Sequence, residues 1–328
     1  MGSEGPNRAG ASIQPHEHTL EGTDELSCLR FLEHSSIAGL NLDVFRHAID
    51  TRLSALIALP ETPPLRLNAA IRYSLLAPGK RIRPLLAMAS AAHFGTDPRQ
   101  ALDVGCAIEM VHAASLVLDD LPSMDDATLR RGQSTTHRAF GEDMAMLTAV
   151  SLLNRAYGTL AALEDLEPEV KLELVRLMER AIGTDGLVAG QTRDLHERTS
   201  ADSAGKMKQI NFEKTGVLFV LAVESGARVA GIHDHRLDEL RLFAGHLGCA
   251  FQIMDDVLDQ SASATDAGKD VGKDSRRFTA ASTNGLDGAR AMALQYLKLA
   301  LASADACPSE QPVLRTFVET LFAGASKQ

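Results

Sequence analysis

Tryptophan is absent from this chain and tyrosine occurs only 3 times in 328 residues, while leucine and alanine are abundant. A sheet-rich fold draws on aromatic and β-branched side chains, so this balance favours an all-α class. Cysteine is scarce as well: Cys28, Cys106, Cys249 and Cys307 lie far apart, with no CxxC pair and no zinc-like spacing to histidine. That argues against a disulfide framework or structural metal site and fits a reducing cytoplasm. Positive charge is short, with 33 Lys and Arg against 43 Asp and Glu, a formal net charge of −10. A general nucleic-acid binder needs a basic face or balance, so no nucleic-acid partner is expected, although clustered basic residues can still hold a small anion. Long apolar runs are missing too. The stretch "GVLFVLAV" at 216–223 is too short to span a bilayer, and no charged-then-apolar leader opens the sequence, so a soluble, cytoplasmic chain with no membrane span is expected.

Residues 1–38 are rich in Gly, Pro, Ser, Glu and His without periodicity and read as a flexible tail, leaving 39–328 as one helical domain. Helical spacing begins at "LDVFRHAIDTRLSALIAL" and is stopped by Pro60, Pro63 and Pro64. It recurs over 66–77, 82–94, 99–119, 142–164, 168–182, 203–230, 236–259, 286–303 and 310–323, with no alternating strand pattern in competition. The polar segment 260–285 reads as a loop. No fixed-period repeat suggests a solenoid.

What is present in excess is acid at two places. Asp119, Asp120, Asp125 and Asp126 crowd the end of an apolar run, where an isolated Asp pair would be a helix end or a solvated turn. In an unbroken helix Asp119 and Asp125 would stand about 120° apart. Pro122 lacks an N–H and crowds the Leu118 carbonyl, so a kink or bulge is expected around "LPSM" that brings both carboxylates to one face. A face of that kind repels itself unless a cation sits on it, and oxygen donors without Cys or His suit Mg²⁺; calcium is disfavoured because no EF-hand pattern follows. The second cluster, "FQIMDDVLD", sets Asp255 and Asp259 one turn apart with Asp256 between them, in an apolar neighbourhood where unpaired charge is costly. Two such walls facing each other would hold several Mg²⁺ ions on one highly charged group, which implies a diphosphate ligand.

Cations to complete the site occur in "GKRIRP" at 79–84, "LRRG" at 129–132, "EKTG" at 213–216 and "GKDVGKD" at 268–274, whereas Arg198, Lys206 and Lys208 read as surface charge. Lys80 and Arg83 occupy adjoining helical positions, while Arg130 and Arg131 point to different sides and suit two phosphorylated ligands at once.

Together "GKRIRP", "ExxHxxxLxxDDLPxMDD", "LRRGxxTxH", "GQxxDL", "KTG" and "FQxxDD" appear in an order that resembles the trans-isoprenyl diphosphate synthases over about residues 41–325, most closely the bacterial geranylgeranyl diphosphate synthases. The resemblance implies a single large helical bundle with a central apolar cavity, a homodimer, and condensation of isopentenyl diphosphate with an allylic diphosphate. It implies Mg²⁺, three ions per site, held by Asp119, Asp125, Asp255 and Asp259, with Asp120 and Asp256 in support. Lys80, Arg83, His112 and Arg131 would hold isopentenyl diphosphate; Arg130, Lys214 and Lys269 the allylic diphosphate; Thr215 and Gln252 would line the reacting carbons. The chain departs from the family pattern at "RRFT" around Arg277 and Phe278, at "APGKR", and at Ala127.

Counting back from Asp119, Ser115 lies one turn below, Val111 about two turns, and Ala114 beside them. Small residues there leave room for a C20 chain, although they also permit close helix packing. The nearest alternative is a farnesyl diphosphate synthase, which differs only in channel depth. More distant ones are a terpene cyclase or head-to-head coupler, which has no use for the "GKRIRP" site, and a non-catalytic subunit.

Overall fold

The computed structural model describes residues 41–58, 65–196, 209–261, 280–309 and 311–322. The expected tail 1–38, the prolines at 60, 63 and 64, Arg198, Lys206, Lys208, Lys269, Arg277 and Phe278 lie outside the described residues, as does 262–279 of the expected loop.

Helix α1 (Leu42–Leu56) starts where Asn41 accepts the Asp43 N–H at 3.2 Å, and its buried Phe45, Ala48, Ile49 and Leu53 fall on one helical face. Helices α2 (Leu65–Leu75) and α3 (Ile82–His93) follow, the latter buried along nearly its whole length. A 3₁₀ turn (Pro98–Ala101), capped by Asp97 accepting from Arg99 N–H at 2.9 Å, leads into α4 (Leu102–Asp119). A two-residue ladder, β1 (Leu129–Arg130) against β2 (Gln133–Ser134), pairs Leu129 with Ser134 and Arg130 with Gln133. Next come α5 (Thr136–Phe140), α6 (Glu142–Ala161), α7 (Pro168–Ile182) and α8 (Leu187–His196). A π-turn (Phe212–Gly216) opens α9 (Val217–Val229), followed by α10 (Arg236–Ser261), α11 (Ala280–Ala306, kinked at Gly285) and α12 (Val313–Phe322).

The core is formed where the most apolar helices meet. Helix α3 lies against α9, α4 against α6 and α3, and α10 pairs along its length with α11. The α3–α9 crossing is close enough that a Cβ on Gly226 would stand 2.1 Å from the Ala87 carbonyl oxygen, and Ser90 Oγ donates across it to the Val223 carbonyl at 2.7 Å. Glycine is therefore required at that point by backbone proximity rather than by dihedral angle.

Four expectations are corrected. The ladder at 129–134 escaped notice because its strands are two residues each; its turn residues Arg131 and Gly132 both have positive φ, 53° and 79°, which is the backbone of the tight hairpin turn whose twist suits paired strands. The helix expected over 203–230 is interrupted by the π-turn at 212–216. Helix α8 and the short α5 were also not anticipated. Finally, 98–119 is long and apolar enough to cross a membrane, contrary to the reading of short apolar runs, but most of it is buried in the bundle, as a core helix is.

The crossing generates a stability prediction. Gly226→Ala should lower the unfolding free energy by about 1–3 kcal/mol, the usual cost of overpacking. Denaturant titration with wild-type midpoint would contradict it.

Candidate active site

Helix α4 ends at Asp119 because the chain three residues on is Pro122, which has no N–H to donate to Leu118. Leu121 N–H closes a tighter turn onto the Leu118 carbonyl at 3.1 Å, and the backbone then winds back on itself. Asp125 N–H donates to the Asp119 carbonyl at 2.9 Å, Asp126 N–H to Leu121 at 3.0 Å and Ala127 N–H to Asp120 at 3.2 Å. The expected bulge in a continuing helix is thus replaced by a helix end and a compact loop. The consequence anticipated for the carboxylates is kept by another route, since the loop returns Asp125 to the helix end.

The hairpin and α5 brace this loop. Asp120 is turned inward, 3% exposed, and accepts from Arg130 Nε at 3.0 Å. Thr135 Oγ1 donates to the Ala127 carbonyl at 2.8 Å, and Arg138 Nη2 reaches Asp126 Oδ1 at 3.0 Å. Asp119, by contrast, is held up at about 6: burial is the main cause, Lys214 and Arg130 oppose it, and the neighbouring charges of Asp125 and Asp120 add to it. Arg130 is held above its ordinary range, because Asp120 together with the fields of Asp119 and Asp125 outweighs the burial that works against its charge.

The second wall is wired to the first through the π-turn. Lys214 Nζ donates to Asp194 Oδ2 at 2.7 Å, Arg193 pairs with Glu213, and Gly190 of α8 approaches so closely that a Cβ there would stand 2.5 Å from the Lys214 nitrogen. Gln191 Nε2 lies 3.7 Å from Met124 Sδ, tying α8 to the aspartate loop. On the other side Thr215 Oγ1 donates to Gln252 Oε1 at 2.7 Å, and Gln252 Nε2 to Asp256 Oδ1 at 2.9 Å. Asp255 follows on the same turn of α10; the side chain of Asp259 lies outside the described residues.

Lys80, Arg83, His112 and Arg131 form a basic corner. Lys80 Nζ sits 5.3 Å from the Phe251 ring centre, the Arg83 guanidinium 5.3 Å from Phe219, and the two rings are 5.6 Å apart. Arg131 Nη2 is 3.4 Å from His112 Nε2, and the Arg131 guanidinium lies over Gly79, where a Cβ would stand 3.0 Å from its Nη1. Arg83 Nε is buried with no hydrogen-bond partner among the described residues. Burial pulls Arg83 down to about 10; Glu109 and Asp255 oppose this and Arg131 adds to it. His112 is pushed well below the usual imidazole range by burial and then by Arg83, Arg131, Arg130 and Arg81, so it is neutral at pH 7. Asp255 thus acts on Arg83 while Lys214 acts on Asp119: both acidic walls and the basic corner lie within electrostatic reach of one another. Below Asp119, Val111 and Ala114 are fully buried, and the half-buried Ser115 donates its hydroxyl to the His112 carbonyl at 2.9 Å.

Among the described residues no three His, Cys, Asp or Glu side chains converge tightly enough to hold a metal by themselves. Asp119 and Asp125 offer oxygen donors without Cys or His, and that donor set fits Mg²⁺, which is commonly bound through one or two carboxylates while its other positions go to water and phosphate oxygens. A half-buried Asp119 with like-charged neighbours is the donor a hard cation relieves. Arg81, Glu109, Gln191 and Asp194 are brought to this region without having been assigned from sequence. The signals were there: Glu109 stands three residues from His112 on one helix, and Gln191 and Asp194 lie within "GQxxDL".

Comparison with known proteins agrees with this geometry. Residues 64–310 match the family model described as polyprenyl synthetase. Over 231 residues the chain is 42% identical to the farnesyl diphosphate synthase of Geobacillus stearothermophilus, covering 70% of this chain and 77% of that one. Over 290 residues it is 39% identical to the geranylgeranyl diphosphate synthase of Pseudescherichia vulneris, covering 86% and 91%. It superposes with a TM-score of 0.77 and 25% identity on a Helicobacter pylori geranyltransferase solved with magnesium and isoprenyl diphosphate, covering 90% of this chain and 100% of that one. On this match and the site it encloses, the chain belongs to the polyprenyl synthetase family.

Proposed function

We propose that the chain is a prenyltransferase that condenses isopentenyl diphosphate with allylic diphosphates and makes mainly geranylgeranyl diphosphate, C20. The observation that carries the reading is the opposition within one region of a self-repelling acidic loop, Asp119 with Asp125, and a basic corner whose Arg83 Nε is buried without a hydrogen-bond partner among the described residues. A diphosphate with its counter-cations satisfies both.

Asp119, Asp125 and Asp255 would hold Mg²⁺, with Asp259 joining them by its motif position. The chemistry Mg²⁺ would supply there is neutralisation of the charge that builds on the diphosphate as it leaves the allylic carbon. Lys214, fixed on Asp194, and Arg130, fixed on Asp120, present oriented cations to the same leaving group, which is the form of stabilisation that needs no reorganisation during reaction. Lys269 joins them by motif position alone. Lys80, Arg83, Arg131 and neutral His112 would hold isopentenyl diphosphate so that its double bond faces the allylic carbon. The departing diphosphate can take the proton lost after attack, so no protein base is required. Thr215 and Gln252, bonded to each other, direct polar oxygens toward the reacting carbons without offering a free nucleophile.

Relatives of both product lengths are similar to this chain. The C20 reading is favoured by Ala114 and Ser115, small side chains five and four residues before Asp119 on α4, because an aromatic at either position would take up room that a longer product needs. The test is incubation of the protein with Mg²⁺, isopentenyl diphosphate and each allylic primer, with products identified by chromatography. C20 should dominate, and Ala114→Tyr or Ser115→Phe should shift the main product to C15. Unchanged C20 output from both variants would remove the pocket argument.

A homodimer is part of the same proposal. Helix α6 leaves Met146, Leu147 and Val150 exposed at 49%, 48% and 64%, a row within little more than one turn that a second copy would cover. Val150→Glu combined with Met146→Glu should give a monomer in analytical ultracentrifugation; a wild-type sedimentation coefficient would contradict this interface.

A further inference from the structure

Arg81 sits between two residues assigned to isopentenyl diphosphate, Lys80 and Arg83, yet every nitrogen of its guanidinium is taken up by protein. Nε donates to Asp50 Oδ1 at 2.7 Å, Nη1 to Glu109 Oε1 at 3.0 Å and Nη2 to the Ala77 carbonyl at 2.9 Å. The residue is 2% exposed and stands in the left-handed region with φ of 49°, a conformation that a side chain other than glycine adopts only when its surroundings hold it. It is also the residue from which α3 starts, so its backbone sets the direction in which Arg83 leaves the turn. Helix α1 grips the same turn twice from one face: Asp50 takes the Arg81 side chain, and Arg46, one turn earlier, donates Nε to the Lys80 carbonyl at 3.2 Å.

Glu109 completes the arrangement from α4. It is 2% exposed, and its second oxygen, Oε2, is buried with no hydrogen-bond partner among the described residues. Burial works against the charge of Arg81, and Glu109 with Asp50 more than offsets it. Among the charges acting on Arg83 and Arg131, Glu109 is the strongest influence keeping each of them protonated. Two cations meant for a ligand therefore share a buried counter-charge with one cation that is not.

We propose that the Asp50–Arg81–Glu109 chain of ion pairs is a positioning device for the isopentenyl diphosphate pocket, fixing the left-handed turn that aims Lys80 and Arg83 while itself touching no substrate. The inference rests on the assignment of that pocket. Its effect is local: Arg81 donates to Asp50, Glu109 and Ala77, whereas the cations beside Asp119 are held elsewhere, Lys214 by Asp194 and Arg130 by Asp120. Loss of the device should therefore be felt by one substrate and not the other.

Two variants separate positioning from stability. Glu109→Gln removes the charge but keeps an acceptor for Arg81. The double variant Arg81→Met with Glu109→Met removes both members, since breaking a buried pair on one side leaves an uncompensated charge whereas replacing it by apolar groups of similar volume is often neutral for folding. Both variants should melt cooperatively and raise the KM for isopentenyl diphosphate by about tenfold, the scale of one misplaced charge-assisted hydrogen bond. The KM for the allylic diphosphate should stay within about twofold of wild type, and kcat should change less than the first KM. An unchanged KM for isopentenyl diphosphate, or an equal rise for both substrates, overturns the proposal. Binding of inorganic pyrophosphate without Mg²⁺, followed by calorimetry, gives a second readout independent of turnover. If wild type consumed no isopentenyl diphosphate, the functional reading would fail by itself. Weaker pyrophosphate binding in Glu109→Gln would still support the positioning role, and undiminished binding would overturn it.

Discussion

Concentrated like charge at the end of a buried apolar helix is the constraint on which the rest of this structure depends. Helix α4 is buried from Leu102 through Val117 along most of its length, and at its last residue it delivers a carboxylate into that low-dielectric setting. The loop that follows adds Asp125 rather than moving it away. Such an arrangement is unfavourable by itself, both through desolvation and through repulsion. The molecule surrounds it with oriented cations: Arg130 on Asp120, Lys214 on Asp194, and a basic corner of Lys80, Arg83 and Arg131 whose own charge is incompletely balanced. Acid and base are held near each other in fixed positions because Asp120 and Asp194, set behind the site, hold Arg130 and Lys214 in place.

That bracing explains several features with no chemical role of their own. Gly190 and Gly248 allow backbone to approach the π-turn so that Lys214 and Thr215 are held between α8 and α10. The π-turn inserts an extra residue into helical winding, a device frequent at functional sites, and here it places Lys214 toward the first acidic wall and Thr215 toward the second. The hairpin at 129–134 performs the same service for Arg130 and Arg131, whose opposite directions follow from the strand and turn positions they occupy.

Much of this was legible in the sequence because it rests on short-range patterns. Helical periodicity gave α3, α4, α6, α7 and α10 with ends displaced by a few residues and α9 as the last part of a longer expected helix, and proline at 122 announced the break beside Asp119. The form of the break was not legible: a kink and a helix end have the same proline signature, and the choice was made by hydrogen bonds from residues 124–127 back to 119–121. Nor was the division of labour within a motif. Composition marks every arginine of "GKRIRP" and "LRRG" as a potential anion contact, whereas Arg81 is occupied by Asp50 and Glu109, and Arg130 by Asp120. The partners come from helices 28 and 31 positions away, or from a carboxylate read as supporting the metal donors. Local spacing contains no trace of such pairings.

The central claim is that Asp119 and Asp255 act on one diphosphate through magnesium, and a double-mutant cycle on pyrophosphate binding measures that sharing directly. Calorimetry in saturating Mg²⁺ should show large losses of affinity for Asp119→Ala and Asp255→Ala, and a double variant that loses far less than the sum of the two. Losses that add to within about 0.5 kcal/mol, as distant independent sites do, would contradict it.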